Sequence, residues 1–234
     1  MPIVPVKKHS GNLTSQNGVP IAYDLYVPFN EHGFLPTIVF LHGRDHVKDW
    51  GIFPDAFIEL AERGYAVICY DHAQLSIEQE LDDLSVMLDA IRKNEFGTAA
   101  GLFSMYPVGV IGHSHGAYTA LVAAAERDDI MSVVTWSAIA EIPGVDGDDV
   151  SAMKRVAQLY IPCCFIHGMA DEVNSYRDSD KLYQACVSRE KDRILIDKAD
   201  HTFGGTQPYL HDDLPKAFSE VLNQTVKWFQ STLY

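Results

Sequence analysis

The sequence is short of positive charge. Its 234 residues carry 18 Lys and Arg against 32 Asp and Glu, a formal net charge of −14. A nucleic-acid binder needs a basic stripe to neutralise phosphates, so that class is set aside. Long hydrophobic runs are also missing. No stretch approaches the roughly 20 apolar residues of a membrane span, and the opening MPIVPVKKHSG lacks the apolar segment of a secretory signal. Cysteine is scarce: Cys69, Cys163, Cys164 and Cys186 make up the whole set, and no C-x-x-C spacing occurs among them. Adjacent cysteines such as Cys163 and Cys164 seldom pair with each other. These thiols are expected to be buried and free, which suits a reducing compartment and a cytoplasmic location. Repeats, low-complexity tracts and linker-like segments are absent as well.

What is present fits one globular domain spanning 1–234. Hydrophobic residues make up 47% and charged residues 21%, and a chain of this length buries roughly three quarters of its unfolded surface without staples. Asn17-Gly18 followed by IAYDLYV (21–27) signals an opening hairpin. Strands and helices then alternate. The continuous apolar run at 37–41 and the run at 65–70 read as strands buried on both faces, and 107–112, 132–138, 161–167 and 192–197 read as further strands. Helical spacing occupies 53–63, a segment opened by Ser76, then 117–127, 150–159, 176–187 and 214–233. Gly64 caps the first helix, and Ser76 with Gln79 starts the second as a capping box. In that second helix Leu81, Leu84, Leu88 and Ile91 form the inward stripe, while Asp82, Asp83, Asp89 and Arg92 are expected to face water. The pattern predicts an α/β fold, with a mostly parallel central sheet of about eight strands and helices on both faces. Functional groups in such sheets gather just past the carboxyl ends of strands.

Gly112-His113-Ser114-His115-Gly116 lies between a predicted strand and a predicted helix. This is the context that a G-x-S-x-G turn requires, because a side chain two positions to either side of the serine would clash. Serine is inert at neutral pH without a base, and the base needs a carboxylate to orient it. Asp171, in His167-Gly168-Met169-Ala170-Asp171, follows one predicted strand, and His201 lies in the loop after the next. Ser114, Asp171 and His201 therefore converge on one rim of the sheet. Asp200 is a rival orienter, but neighbours in one loop rarely reach each other side chain to side chain. Acyl transfer also needs two backbone N–H donors for the oxyanion. These are assigned to His115, the residue after the nucleophile, and to Arg44, which follows Leu41-His42-Gly43 at the end of the first buried strand.

The segments LHG (41–43), GHSHG (112–116), HGMAD (167–171) and ADHTF (199–203) occur in this order and strand context. Together they resemble the α/β-hydrolase superfamily, and the small dienelactone-hydrolase-like and serine-esterase branches in particular. The resemblance covers essentially the whole chain. It implies an α/β-hydrolase fold with a minimal cap, restricted to the excursion at 141–160. It assigns the nucleophile to Ser114, the acid to Asp171, the base to His201 and the oxyanion donors to Arg44 and His115. There are departures. Dienelactone hydrolases proper carry cysteine where Ser114 stands, Ala117 replaces a common second glycine, and Asp71-His72-Ala73-Gln74 replaces a frequent Asp-x-Arg-Gly.

His42, His46, His72, His113 and His115 suggest a metal site as an alternative. His42 and His46 are four apart, but in a predicted loop rather than a helix, and no H-E-x-x-H pattern accompanies them. No metal and no cofactor are expected. Asp45, His46, Trp50, Ser137 and Phe203 are candidate substrate contacts, whereas Trp136 is expected in the core. The expected activity is hydrolysis of a small-molecule carboxylic ester through an acyl-enzyme, with no nucleic-acid or membrane partner. Thioester or small-peptide hydrolysis by the same triad is the alternative, and a catalytically silent binding module a further one. An edge strand or the last helix offers a surface for a homodimer.

Overall fold

The computed structural model describes residues 5–29, 33–72, 76–96, 103–104, 106–145 and 150–234. The hairpin at Asn17-Gly18 joins β1 (Val6–Thr14) to β2 (Pro20–Pro28), paired antiparallel, with Gly18 at φ +79°. The chain continues through β3 (Gly33–Phe34), β4 (Thr37–Leu41), α1 (Phe53–Glu62), β5 (Ala66–Tyr70), α2 (Ile77–Lys93) and β6 (Phe103–Ser104). It then forms β7 (Val108–His113), α3 (His115–Glu126), β8 (Ile130–Trp136), α4 (Ala152–Val156), β9 (Cys163–Gly168), α5 (Tyr176–Ala185), β10 (Lys191–Ile196) and α6 (Lys216–Thr232).

Eight strands form one sheet in the order β1-β2-β5-β4-β7-β8-β9-β10. β2 runs antiparallel to its neighbours β1 and β5, and every other pairing is parallel. The register pairs Leu41 with Gly112, His113 with Trp136 and Gly168 with Ile196. The carboxyl ends of β4, β7, β8, β9 and β10 thus line up along one rim. Every residue of β4, β5, β7 and β9 is buried, as their continuous apolar runs predict. Alternate side chains feed two cores. Ile38 and Phe40 pack with α1 and α6 on one face, while Val39 and Leu41 pack with α2, α3, α4 and α5 on the other.

One strand pairing and two helices depart from the expected pattern. The short pairing of β3 with β6 was not foreseen, since two-residue strands leave no periodicity to read. The buried face of α2 is rotated from the expected stripe. Glu80 and Asp83 are buried, Leu81 is half-buried, and Met87 joins Leu84, Leu88 and Ile91 in the core. Leucine pattern alone misplaces the face because Glu80 is drawn inward by hydrogen bonds described below. The helix expected at 150–159 shortens to α4, and 146–149, like Ala73 and Gln74, lie outside the described residues. All four cysteines are buried free thiols. Among the described residues no helix is long and apolar enough to cross a membrane.

Candidate active site

The turn between β7 and α3 holds Ser114 at φ 54°, ψ −116°, a region that non-glycine residues occupy only when the surroundings impose it. The imposing contacts are visible. A Cβ on Gly112 would lie 2.4 Å from Ala117 Cα and Gly116 O, and one on Gly116 would lie 2.4 Å from Leu41 O. Both positions demand glycine. The Ser114 N–H donates to Trp136 O at 2.9 Å, tying the turn to β8. α3 begins on the next residue, so its positive N-terminal end faces the serine.

Asp171 follows β9 and His201 follows β10, as the sequence places them. His201 Nδ1 donates to Asp171 Oδ2 at 2.8 Å. That carboxylate reaches no solvent and is fully served with donors. His167 Nε2 donates to the same Oδ2 at 3.1 Å, and Oδ1 accepts from the backbone N–H groups of Val173 and Asn174, both at 2.9 Å. Burial alone would raise the Asp171 carboxyl above its ordinary value. The bonds from His167, His201 and Asn174 outweigh burial and hold it well below that value, so it stays ionised.

The Ser114 hydroxyl accepts from Asn174 Nδ2 at 3.3 Å, and among the described residues it shares no hydrogen bond with His201. His201 is held from the other side by His113. The His113 Nε2–H donates to the His201 carbonyl at 3.0 Å, and the two rings lie 4.9 Å apart.

Arg44 and His115 flank this turn. No hydrogen bond among the described residues occupies either backbone N–H. Their side chains are linked: the Arg44 guanidinium donates to His115 Nε2 at 3.1 Å, so His115 must carry its proton on Nδ1. That Nδ1–H reaches the buried Glu80 carboxylate at 3.1 Å, and Thr119 Oγ1 donates to it as well. This is why α2 turns an acidic residue inward. The 43–50 loop is anchored again by Lys48, whose N–H donates to Asp71 Oδ1 at 2.8 Å and whose ammonium sits 2.7 Å from buried Asp24 Oδ2.

The five candidate substrate contacts separate. Asp45 is exposed, and half-buried His46 stacks on half-buried Trp50 at 4.3 Å. These three remain at the surface beside the turn. Phe203 is a correction: its ring is fully buried with Phe218 and Trp136, because a φ of 56° turns the loop so that the side chain points inward. Ser137 is another. Its side chain reaches no solvent, and it enters the site through its carbonyl, which accepts from Asn174 Nδ2 at 2.9 Å. Trp136 is core, as expected. Among the described residues no three His, Cys, Asp or Glu side chains are grouped to hold a metal.

Asn174 and His167 were not singled out from the sequence as site residues. A signal was available: Asp171 followed by Asn174 at three residues is the spacing of a carboxylate closing a turn over the following N–H groups. His113, read from the sequence as one member of an alternative metal site, instead donates to the backbone carbonyl of His201.

This fold, with a strained serine turn and a His–Asp pair on one rim, is that of the alpha/beta hydrolase family. The chain belongs to that family, whose profile matches residues 38–222. Among solved structures it is similar to a dienelactone hydrolase from Anabaena variabilis, at 19% identity and a TM-score of 0.77, covering 98% of this chain and 99% of that one. It is also similar to Est1E from Butyrivibrio proteoclasticus, at 18% identity and a TM-score of 0.74, covering 95% and 100%. A Pyrococcus furiosus esterase aligns at 14% identity and a TM-score of 0.78, covering 97% and 92%. At such identities the likeness establishes the fold. No curated protein matches the sequence.

The buried histidines make acid stability a test of this packing. Burial, then the neighbouring His201 and His46, holds His113 far below the ordinary histidine value. Burial, then His72, pushes His42 down to about 3. Such groups bind fewer protons folded than unfolded, so their contribution is complete above about pH 6.5 and is lost as pH falls below it. The melting temperature is expected to be flat from pH 8 to 7 and to fall from about pH 6.5 downward. Because Asp171 is depressed too, a further loss follows below about pH 4. His113→Gln, which keeps a donor but cannot titrate, should flatten the first fall. An equal slope in thermal melts of both proteins would contradict this.

Proposed function

We propose that this protein is a serine hydrolase that cleaves carboxylic esters through an acyl-enzyme. The observation that carries the proposal is the strained Ser114 turn at the head of α3, with the 2.8 Å His201–Asp171 pair on neighbouring strand ends. The likeness of the fold to a dienelactone hydrolase and to esterases agrees with it.

His201 Nε2 takes the Ser114 proton as Oγ attacks the ester carbonyl, and the carbonyl π pair moves onto oxygen. The developing oxyanion is received by the free N–H groups of Arg44 and His115, backed by the α3 N-terminus. As the intermediate collapses the bond to the alcohol oxygen breaks, and His201 gives that oxygen its proton. Water then repeats the sequence, losing a proton to His201 and displacing Oγ, which recovers one. Asp171 fixes the tautomer: with Nδ1–H held by the carboxylate, Nε2 is the basic nitrogen. Proton transfer requires the Ser114 hydroxyl to move within hydrogen-bond reach of His201, an approach that substrate binding completes.

Turnover of a p-nitrophenyl ester series of rising acyl length, run beside acyl-thioesters, tests the substrate class. Saturable ester hydrolysis with kcat/KM at least about tenfold above that of the matched thioesters is expected. A reversed preference assigns the chain to thioesterases, and inactivity on both series contradicts the proposal.

A further inference from the structure

Asn174 belongs to no part of the triad or the oxyanion hole, yet its amide touches the atom that would react. Its Nδ2 lies 3.3 Å from Ser114 Oγ and 2.9 Å from Ser137 O. The second contact fixes the orientation of the amide. A carbonyl oxygen can only accept, so the group facing Ser137 O must be the NH2, and its other N–H is left for Ser114. The amide is buried, and its backbone is clamped on both sides. The Asn174 N–H donates to Asp171 Oδ1 at 2.9 Å, and the Asn174 carbonyl accepts from His167 Nε2 at 3.2 Å. Ser137 offers its carbonyl from a backbone held at φ 49°. None of these partners can turn away cheaply, so the donor is preorganised.

Resting on the reading of Ser114 as nucleophile, we propose that Asn174 is a further catalytic residue, whose Nδ2–H stabilises negative charge on Ser114 Oγ as that atom attacks and as it departs. A donor to Oγ occupies one lone pair and leaves the hydroxyl proton available to His201. At 3.3 Å the bond is long for N–H···O and weak while the serine is neutral. As the proton passes to His201 Nε2, before the Oγ–C bond is fully formed, charge builds on Oγ and the bond becomes charge-assisted, shorter and about twice as strong. In the acyl-enzyme Oγ is an ester oxygen and a poor acceptor, so the bond relaxes. When water has attacked and the C–Oγ bond breaks, the electron pair returns to Oγ beside the same N–H before His201 delivers the proton. The interaction is strongest in the two transition states, which is what makes a contact catalytic. It differs from an oxyanion donor, which serves the carbonyl oxygen and not the serine.

The test compares wild type with Asn174→Ala and Asn174→Leu, the second keeping the side-chain volume. Three rates are read: labelling of Ser114 by a fluorophosphonate, and the burst and the steady phase of p-nitrophenyl acetate hydrolysis. Both variants are expected to label, acylate and deacylate about ten- to a hundredfold more slowly, in line with the loss of one preorganised donor. The low-pH midpoint of activity should not move, because the His201–Asp171 pair is untouched. Wild-type or faster rates would overturn the proposal, and so would a slowed rate with a displaced midpoint, or loss of the fold in both variants, since each assigns the amide to structure. Failure of the underlying reading looks different: wild type itself would then not label at Ser114.

Discussion

Ser114→Ala is expected to lower kcat on short-chain esters by about 10⁴- to 10⁶-fold, the scale on which nucleophile removal acts in serine hydrolases. The structure gives this substitution a clean reading. Ser114 makes three hydrogen bonds, its N–H to Trp136 O, its carbonyl from the Ala117 N–H and its hydroxyl from Asn174, and alanine keeps the first two. The turn itself is enforced by Gly112 and Gly116 against the backbone of residues 41, 42, 116 and 117, so it does not depend on the hydroxyl. The variant should therefore fold with a melting temperature near that of wild type and bind substrate normally. KM is expected to stay within a few-fold while kcat collapses. Hydrolysis surviving at more than about one hundredth of the wild-type rate would place the chemistry on another group.

Asp171→Asn is expected to cost about 10⁴-fold in kcat, the loss that follows when the orienting carboxylate of such a triad is made neutral. Here the reason is sharper than loss of charge. Oδ2 accepts from His201 and His167, and Oδ1 accepts from two backbone N–H groups, four donors in all. An amide supplies one acceptor and one donor. Placing its NH2 toward the histidines forces His201 to present a lone pair at Nδ1 and moves its proton to Nε2, the position that must be basic. Placing it toward Val173 and Asn174 sets donor against donor in a site that reaches no solvent. The first placement sets the amide NH2 against the His167 Nε2–H and the second strains the 171–174 turn, so the melting temperature should fall as well. Steady-state rates and a thermal melt check both parts, and activity within tenfold of wild type would contradict the assignment.

Much of the fold was readable because the central strands of the sheet are buried on both faces. IVFL, AVICY and VGVIG are apolar without interruption, and the glycines around Ser114 mark a turn that nothing larger can make. The rim placement of Asp171 and His201 followed from the parallel order of β9 and β10. What the pattern hid were polar groups turned inward. Glu80 and Asp83 are acidic residues yet lie inside, and a leucine stripe cannot show that His115 and Thr119 bond to Glu80 there. Phe203 reads as a substrate contact because it lies two residues from His201, but its positive φ points it into the core. Asn174 escaped notice because its role depends on three partners from other segments, Ser114, Ser137 and His167, which sequence distance conceals.

The central claim is that Ser114 is an activated nucleophile. The most direct measurement is treatment of the purified protein with a fluorophosphonate, followed by intact mass and peptide mapping. One adduct per chain is expected, on the peptide containing Ser114, absent in Ser114→Ala and formed far more slowly in His201→Ala. A protein that hydrolyses esters yet takes no adduct, or takes it on a different residue, would contradict it.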